Sequence, residues 1–235
     1  WRDVGCYGSP FYETPNIDRL AQEGMRFTNG YAACPVCSPT RASILSGQYP
    51  ARVGVTQFIG GHNRGRLADV PYVHELPLEQ TSLATALKRA GYRTWHVGKW
   101  HLGGPETYPE KHGFDVNIGG NHAGHPHHGY VSPYHLENLE DGPEGEYLTD
   151  RLTDEAIRLI ESGGDAPFFL HLSHYAVHTP IQAPGHLFAK YEAKARMMGL
   201  DRAEVLREGE AFPAEHKKDK RVVRRLRQHA PFFGL

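Results

Sequence analysis

The stretch Thr81-Ser82-Leu83-Ala84-Thr85-Ala86-Leu87-Lys88-Arg89-Ala90-Gly91-Tyr92-Arg93-Thr94-Trp95-His96-Val97-Gly98 reads as a helix that turns directly into a strand. Thr81 or Ser82 starts the helix with a side-chain oxygen for its free N–H groups, and Leu83 and Leu87 sit one turn apart on one face. Gly91 takes the C-terminal position, where a left-handed backbone ends a helix without steric cost. Tyr92 to Val97 is then rich in aromatic and β-branched residues, as a pleated, half-buried strand requires.

The same alternation extends outward. Thr14-Pro15 predicts a helix N-terminus with proline at the first helical position, and Gly24 closes that short helix. Met25 to Tyr31 reads as a strand. A further helix covers about Thr149 to Glu161, with Leu152, Ala156, Leu159 and Ile160 on one side. Pro167 to Ser173, containing Phe168, Phe169, Leu170 and Leu172, is another strand candidate. Helices alternating with short apolar strands predict an α/β fold with a largely parallel sheet flanked by helices. Gly103 to Gly145 lacks such a pattern and is rich in Gly, Pro and His. A segment that long inside a compact domain is expected to be functional or disordered.

The 235 residues suffice for one sizeable core or a large domain fragment. A formal net charge of −1 gives no whole-molecule field toward nucleic acid or an anionic membrane, so attraction for an anion must be local. Three cysteines, Cys6, Cys34 and Cys37, rule out a disulfide framework as the organising principle. No apolar run approaches the roughly 18–20 residues of a membrane span. The chain opens on Trp1-Arg2-Asp3 with no Met and no leader, so the natural start is expected upstream. From Ala211 onward Lys217, Lys218, Lys220, Arg221, Arg224, Arg225 and Arg227 crowd together. That tail reads as a solvated basic helix or frayed end, because no aromatic residues interleave with the charges as a nucleic-acid stacking platform needs.

The chemically informative segment is Cys34-Pro35-Val36-Cys37-Ser38-Pro39-Thr40-Arg41-Ala42-Ser43-Ile44-Leu45-Ser46-Gly47. Ser38 is a suitable N-cap, Pro39 suits the first helical position and Gly47 the C-terminal one. Such a helix aims its free N–H groups and positive dipole end at Cys37, and Arg41, four residues on, faces the same spot. The result is an anion site with a modifiable side chain at its mouth. Alternatives stay open at this point: Cys34 and Cys37 as a redox pair or half a zinc site, or Cys37 as an inert buried thiol.

Cys37-Ser38-Pro39-Thr40-Arg41 followed by Leu45-Ser46-Gly47 resembles the signature of the formylglycine-dependent sulfatases. Thr14-Pro15-Asn16-Ile17-Asp18-Arg19-Leu20 and Phe27-Thr28-Asn29-Gly30-Tyr31 resemble the lead-in of that family. Gly98-Lys99-Trp100-His101-Leu102-Gly103 is similar to its second signature, and His178-Thr179-Pro180 to its later histidine motif. Matches in this order run from about Asp3 to Pro184, so residues 1–235 are read as a partial sulfatase catalytic domain, with 185–235 the least defined part. The implied fold is an alkaline-phosphatase-like sulfatase core, incomplete at both ends.

The resemblance implies a function, sulfate monoester hydrolysis, with a carbohydrate sulfate as the substrate expected. Cys37 would become formylglycine, made by a formylglycine-generating enzyme, and its hydrated diol would attack sulfur. Arg41 would hold the diol and its helix end. Lys99 and His101, one residue apart, would share a face of an extended backbone, Lys99 on sulfate and His101 on the diol as hydrogen-bond partner or base. His178 would bind sulfate or protonate the leaving oxygen. Calcium, or another divalent cation, is the implied cofactor, with formylglycine 37 as one ligand and the remaining carboxylates expected outside this span. Gln228 to Leu235 do not continue the family pattern. The family also implies a periplasmic or secreted location. Two rival readings remain: a phosphoesterase-like relative, and a catalytically incomplete fragment that binds sulfated glycans. The cluster His122, His125, His127 and His128 sits in a Gly- and Pro-rich setting that favours a mobile surface or substrate-rim loop over a zinc site. Asp141 to Glu146 reads as a turn with solvated acids.

Overall fold

The computed structural model describes residues 3–62, 66 and 68–200. The basic tail and Gln228 to Leu235 therefore lie outside the described residues. In chain order the elements are α1 (Pro15–Glu23), α2 (Cys37–Ser46), α3 (Pro50–Val53), α4 (Leu83–Arg89), β1 (Arg93–Gly98), β2 (Val116–Ile118), α5 (Leu148–Ser162), β3 (Phe168–Ser173) and α6 (Gly185–Met197). Short 3-10 turns occur at Gly5–Tyr7, Pro105–Thr107 and Pro109–His112. The described residues form two compact units, one of residues 31–182 and the other of the chain before 31 together with the chain from 183.

The larger unit is built on three parallel strands in the order β2-β1-β3, with Trp95 opposite both Val116 and Leu170. β1 is central, and every residue after Arg93 is buried. Strand alternation sends successive side chains to opposite faces. One face meets a core containing Ala42 and Leu45 of α2, Ala84 of α4, Trp100 and Phe114, with Phe169 packed against it. Val97 faces the second core with Leu148 and Leu152 of α5, Tyr130, Tyr134 and Tyr175, and Leu170 packs on that side. The sheet is thus covered on both faces, the arrangement parallel strands need.

The predicted α4 is capped as its sequence suggests, with Ser82 Oγ accepting from the Thr85 N–H at 3.0 Å. α5 and β3 match their predicted spans within two residues. At the end of β1, Gly98 adopts φ +99°, and a Cβ there would lie 2.1 Å from the Ser173 carbonyl oxygen. Only glycine allows that approach between β1 and β3.

Three expectations need correction. Met25 to Tyr31 forms no strand, and Met25, Phe27 and Tyr31 are exposed. A strand exists only as a paired ladder, and the three described strands pair with one another. Ser38 does not cap α2, which begins at Cys37 with Val36 in the capping position. Gly103 to Gly145 is not a structureless loop: it contributes β2, two 3-10 turns and four residues of the second core, Tyr130, Tyr134, Leu136 and Leu139. Its acids are structural too. Asp141 accepts from the backbone N–H groups of Tyr134 and His135, and Glu146 from the Tyr134 hydroxyl at 2.8 Å.

In the smaller unit, Asp18 of α1 accepts from the Cys6 N–H at 2.6 Å and from the Thr14 hydroxyl at 3.0 Å. Lys190 and Lys194 of α6 both hold Glu13, lowering its carboxyl to about 2. Tyr191 packs its ring 5.3 Å from that of Phe11. No helix among the described residues is long and apolar enough to cross a membrane.

Candidate active site

The site residues gather at the C-terminal ends of β1 and β3, where open parallel sheets characteristically place their ligands. The Lys99 N–H donates to the Ser173 carbonyl at 2.7 Å, carrying the chain past the end of β1. From α2, Arg41 donates through Nη1 to the Lys99 carbonyl and to Ser173 Oγ, each at 2.7 Å. The guanidinium thereby ties the first turns of α2 to both strand ends. Burial lowers its pKa, but an arginine remains a cation there.

Cys37, half-buried, opens α2. The Lys99 ammonium is close enough for its charge to interact with Cys37, and Lys99 itself is only 3% exposed. Burial, and then the Arg41 charge, pull Lys99 down to about 8, against an opposing contribution from Cys37. Cys37, Arg41 and Lys99 are therefore together in space, although 62 residues of sequence separate the first from the last.

His101 arrives by a different route from the extended one expected. β1 has already ended at Gly98, and His101 has a left-handed backbone with φ 56°. Its N–H donates to the Asn121 carbonyl at 3.1 Å, and its Nε2 lies 3.0 Å from the Ile59 carbonyl. A carbonyl only accepts, so Nε2 carries the proton and Nδ1 is the basic nitrogen. Nδ1 lies 3.4 Å from Ser38 Oγ, which donates to the His101 carbonyl at 3.0 Å and accepts from the Ile59 N–H at 3.1 Å. Ser38 thus links the start of α2 to His101 instead of capping the helix. Desolvation takes His101 down to about 4, so it is neutral at pH 7. Gly124 packs on the ring, where a Cβ would fall 2.7 Å from Cε1.

His178 lies beyond β3 and is exposed. Its Nδ1 is 3.1 Å from the Thr179 carbonyl and 3.2 Å from the Thr179 hydroxyl. The Tyr130 hydroxyl donates to its carbonyl at 3.0 Å. The ring of His125 stacks on it, centroids 5.5 Å apart and planes 11° from parallel. His127 lies 4.3 Å from His125, whereas His122 meets the Tyr108 hydroxyl and His128 meets His135. The four histidines of the expected cluster therefore divide among three environments.

Sequence reasoning passed over Ser173, and it passed over a buried pair on the sheet. His96 and His171 are register partners on β1 and β3, their Nδ1 atoms 3.1 Å apart. His96 Nε2 is 2.9 Å from the Gly98 carbonyl, so its Nδ1 accepts from His171. Both are lowered by burial, His171 to about 4. Pairing the two strands in register would have exposed this signal.

A divalent cation fits these residues poorly. Among the described residues no group of three or more His, Cys, Asp or Glu could hold a metal ion. The charges felt at Cys37 are those of Lys99 and Arg41, both cations, while hard cations require several oxygens.

The family model described as Sulfatase matches residues 1–211. The chain belongs to the sulfatase family. It is 38% identical to N-acetylgalactosamine-6-sulfatase of Sus scrofa over 204 residues, covering 78% of this chain and 38% of that protein. Arylsulfatase J of Mus musculus is 33% identical, with 82% of this chain and 33% of the relative covered. The solved structure of Ps i-CgsB in complex with k-i-k-neocarrahexaose superposes with a TM-score of 0.66 at 31% identity, covering 82% of this chain and 46% of that one. The fold is that of the alkaline-phosphatase-like sulfatases, here as a parallel sheet between helices. The chain spans 38% of the length of the first of these relatives. Membership in this sulfatase family implies, in general, a formylglycine and a divalent cation.

Proposed function

We propose that this chain carries the nucleophile and part of the sulfate-binding apparatus of a sulfuric ester hydrolase acting on a sulfated carbohydrate. The observation that carries the reading is that Arg41, on the helix that Cys37 opens, donates to the Lys99 carbonyl and to Ser173 Oγ, which brings Cys37 and the buried Lys99 to the same strand ends. A formylglycine-generating enzyme would convert Cys37 to the aldehyde, which hydrates to a diol. One diol oxygen gives its proton to Nδ1 of neutral His101 and forms a bond to sulfur while the sulfur–oxygen ester bond breaks, and the departing alcohol oxygen takes a proton from Nε2 of His178 in its imidazolium form. The second hydroxyl then loses its proton and the carbon–sulfate bond breaks, which restores the aldehyde and releases sulfate.

Each residue suits its part on physical grounds. Lys99 sets a desolvated cation against developing charge on the sulfate oxygens. Arg41 acts through position, because its observed hydrogen bonds go to Lys99 and Ser173. Neutral His101, with Nε2 held by Ile59, has Nδ1 as its proton-accepting nitrogen. No step is routed through calcium, since the described residues do not form its site. A relative named N-acetylgalactosamine-6-sulfatase and a solved relative in complex with k-i-k-neocarrahexaose support a glycan substrate.

Co-expression with the maturase followed by peptide mass spectrometry tests the nucleophile. The aldehyde is expected at Cys37 and not at Cys34 or Cys6, because only Cys37 has proline two residues on and arginine four residues on. An unmodified thiol at Cys37 beside an active maturase would remove the central residue from the reading. The lack of a metal-holding group among the described residues favours a second reading, sulfoglycan binding without turnover. An aryl sulfate assay of the converted 235-residue chain, with and without calcium, separates the two.

A further inference from the structure

We infer that His125 is a positioning residue that holds the imidazole of His178 in place by stacking on it; the inference rests on the sulfate-site reading of His178. Three observations converge. The segment before His125 is pinned to the site: Asn121 accepts from the His101 N–H, Ala123 is buried, and Gly124 lies against the His101 ring. His125 consequently projects from a fixed base and not from a free loop. Its ring lies 11° from parallel with His178 at a centroid distance of 5.5 Å, within the range of offset-stacked aromatic pairs. His178 has little else to orient its ring: among the described residues its ring hydrogen bonds, through Nδ1, go only to Thr179, its immediate neighbour. Since the side chain is exposed, one local hydrogen bond leaves rotation about χ1 and χ2 inexpensive, and the stack removes that freedom.

The charge environment agrees with this geometry. Burial, His127, His178, Lys99 and His101 all disfavour a proton on His125, so the stacking partner stays neutral. A neutral ring presents a π-face to His178 without competing with it for sulfate. The Gly- and Pro-rich setting of His125 favours a mobile surface or substrate-rim loop; the structure assigns His125 to support His178.

The test uses the 235-residue chain with inorganic sulfate as the probe and imidazole NMR as an independent readout. In the wild type, contacts between the two rings and a ring-current shift at His178 Hε1 are expected. H125A should abolish both and weaken sulfate binding by about 2- to 10-fold, the range that stacked pairs contribute. H125F, which keeps the π-face and loses the nitrogens, should restore the ordered His178 ring and most of the affinity. His178 resonances unmoved by H125A would overturn the inference, as would an H125F variant that behaves like H125A. Failure of the underlying reading looks different: H178A would then leave sulfate affinity unchanged, whatever the ring contacts show.

Discussion

Two sets of histidines occupy the same end of the sheet in opposite physical states. His96 and His171 pair across β1 and β3, His101 follows β1, and His112 packs on Trp100; all four are lowered by desolvation and neutral. His125, His127 and His178 stand at the rim, where His178 and His127 are exposed. In the inner set His96 and His101 each rest a ring nitrogen on a backbone carbonyl and His96 also meets His171, which turns a titratable residue into a fixed polar strut. The rim set stacks ring on ring, and His178 reaches only its neighbour Thr179 through Nδ1 among the described residues. Burial, not residue type, decides whether an imidazole here is framework or reagent.

The comparison is sharpened most by Lys99, whose charge acts on His101 of the inner set and on His125 of the rim set. In a catalytically competent form of the protein, K99A is expected to lower kcat/KM by about 10²–10³-fold, roughly 2.7–4 kcal/mol, because it deletes a buried donor facing developing charge. Unchanged kcat/KM would take Lys99 out of the site.

The inner histidines predict acid lability. Their folded pKa values lie below the ordinary 6.5, three of them at about 4, so the unfolded chain binds more protons between those limits. Stability is then fully present above pH 6.5 and is lost as pH falls toward 4, by up to about 1.4 kcal/mol per pH unit for each histidine, before discounting for residual solvent. Thermal melts at pH 7 and pH 5 check this; equal Tm values would mean that the four rings are more solvated than their packing indicates.

Lys99 also gives a smaller effect of opposite sense. With its pKa near 8, sulfate affinity should fall as pH rises from 7 to 9, and K99R should flatten that fall, because arginine stays charged. Titration calorimetry at the two pH values makes the comparison. Least of all should change with H122A, whose ring meets the Tyr108 hydroxyl away from the stack: stability and sulfate binding are expected to shift by no more than about 0.5 kcal/mol.

Local rules made much of this legible. The Ser82 cap, the Gly91 stop, the aromatic strand after it and the Pro167 to Ser173 run all depend on neighbours within a few residues, and all took the predicted form. The Met25 to Tyr31 run failed because its apolar composition satisfies a strand locally, while strand formation depends on a partner. Ser38 and His101 were misplaced in detail for a related reason. Capping and alternation assume that the nearest backbone wins, whereas Ser38 found Ile59 and His101 across the fold.

Cys37, Arg41, Lys99, His101 and His178 could be picked out as candidates from sequence because motif spacing and residue chemistry are properties of the chain itself. The parallel α/β class followed from helix and strand periods in the same way. Only the tertiary structure decided that Arg41 reaches Ser173, that His96 meets His171, and that His125 lies flat against His178. Those contacts join residues 53 to 132 positions apart. Their energies arise from desolvation and stacking, which have no value until the sheet has formed and brought the partners together.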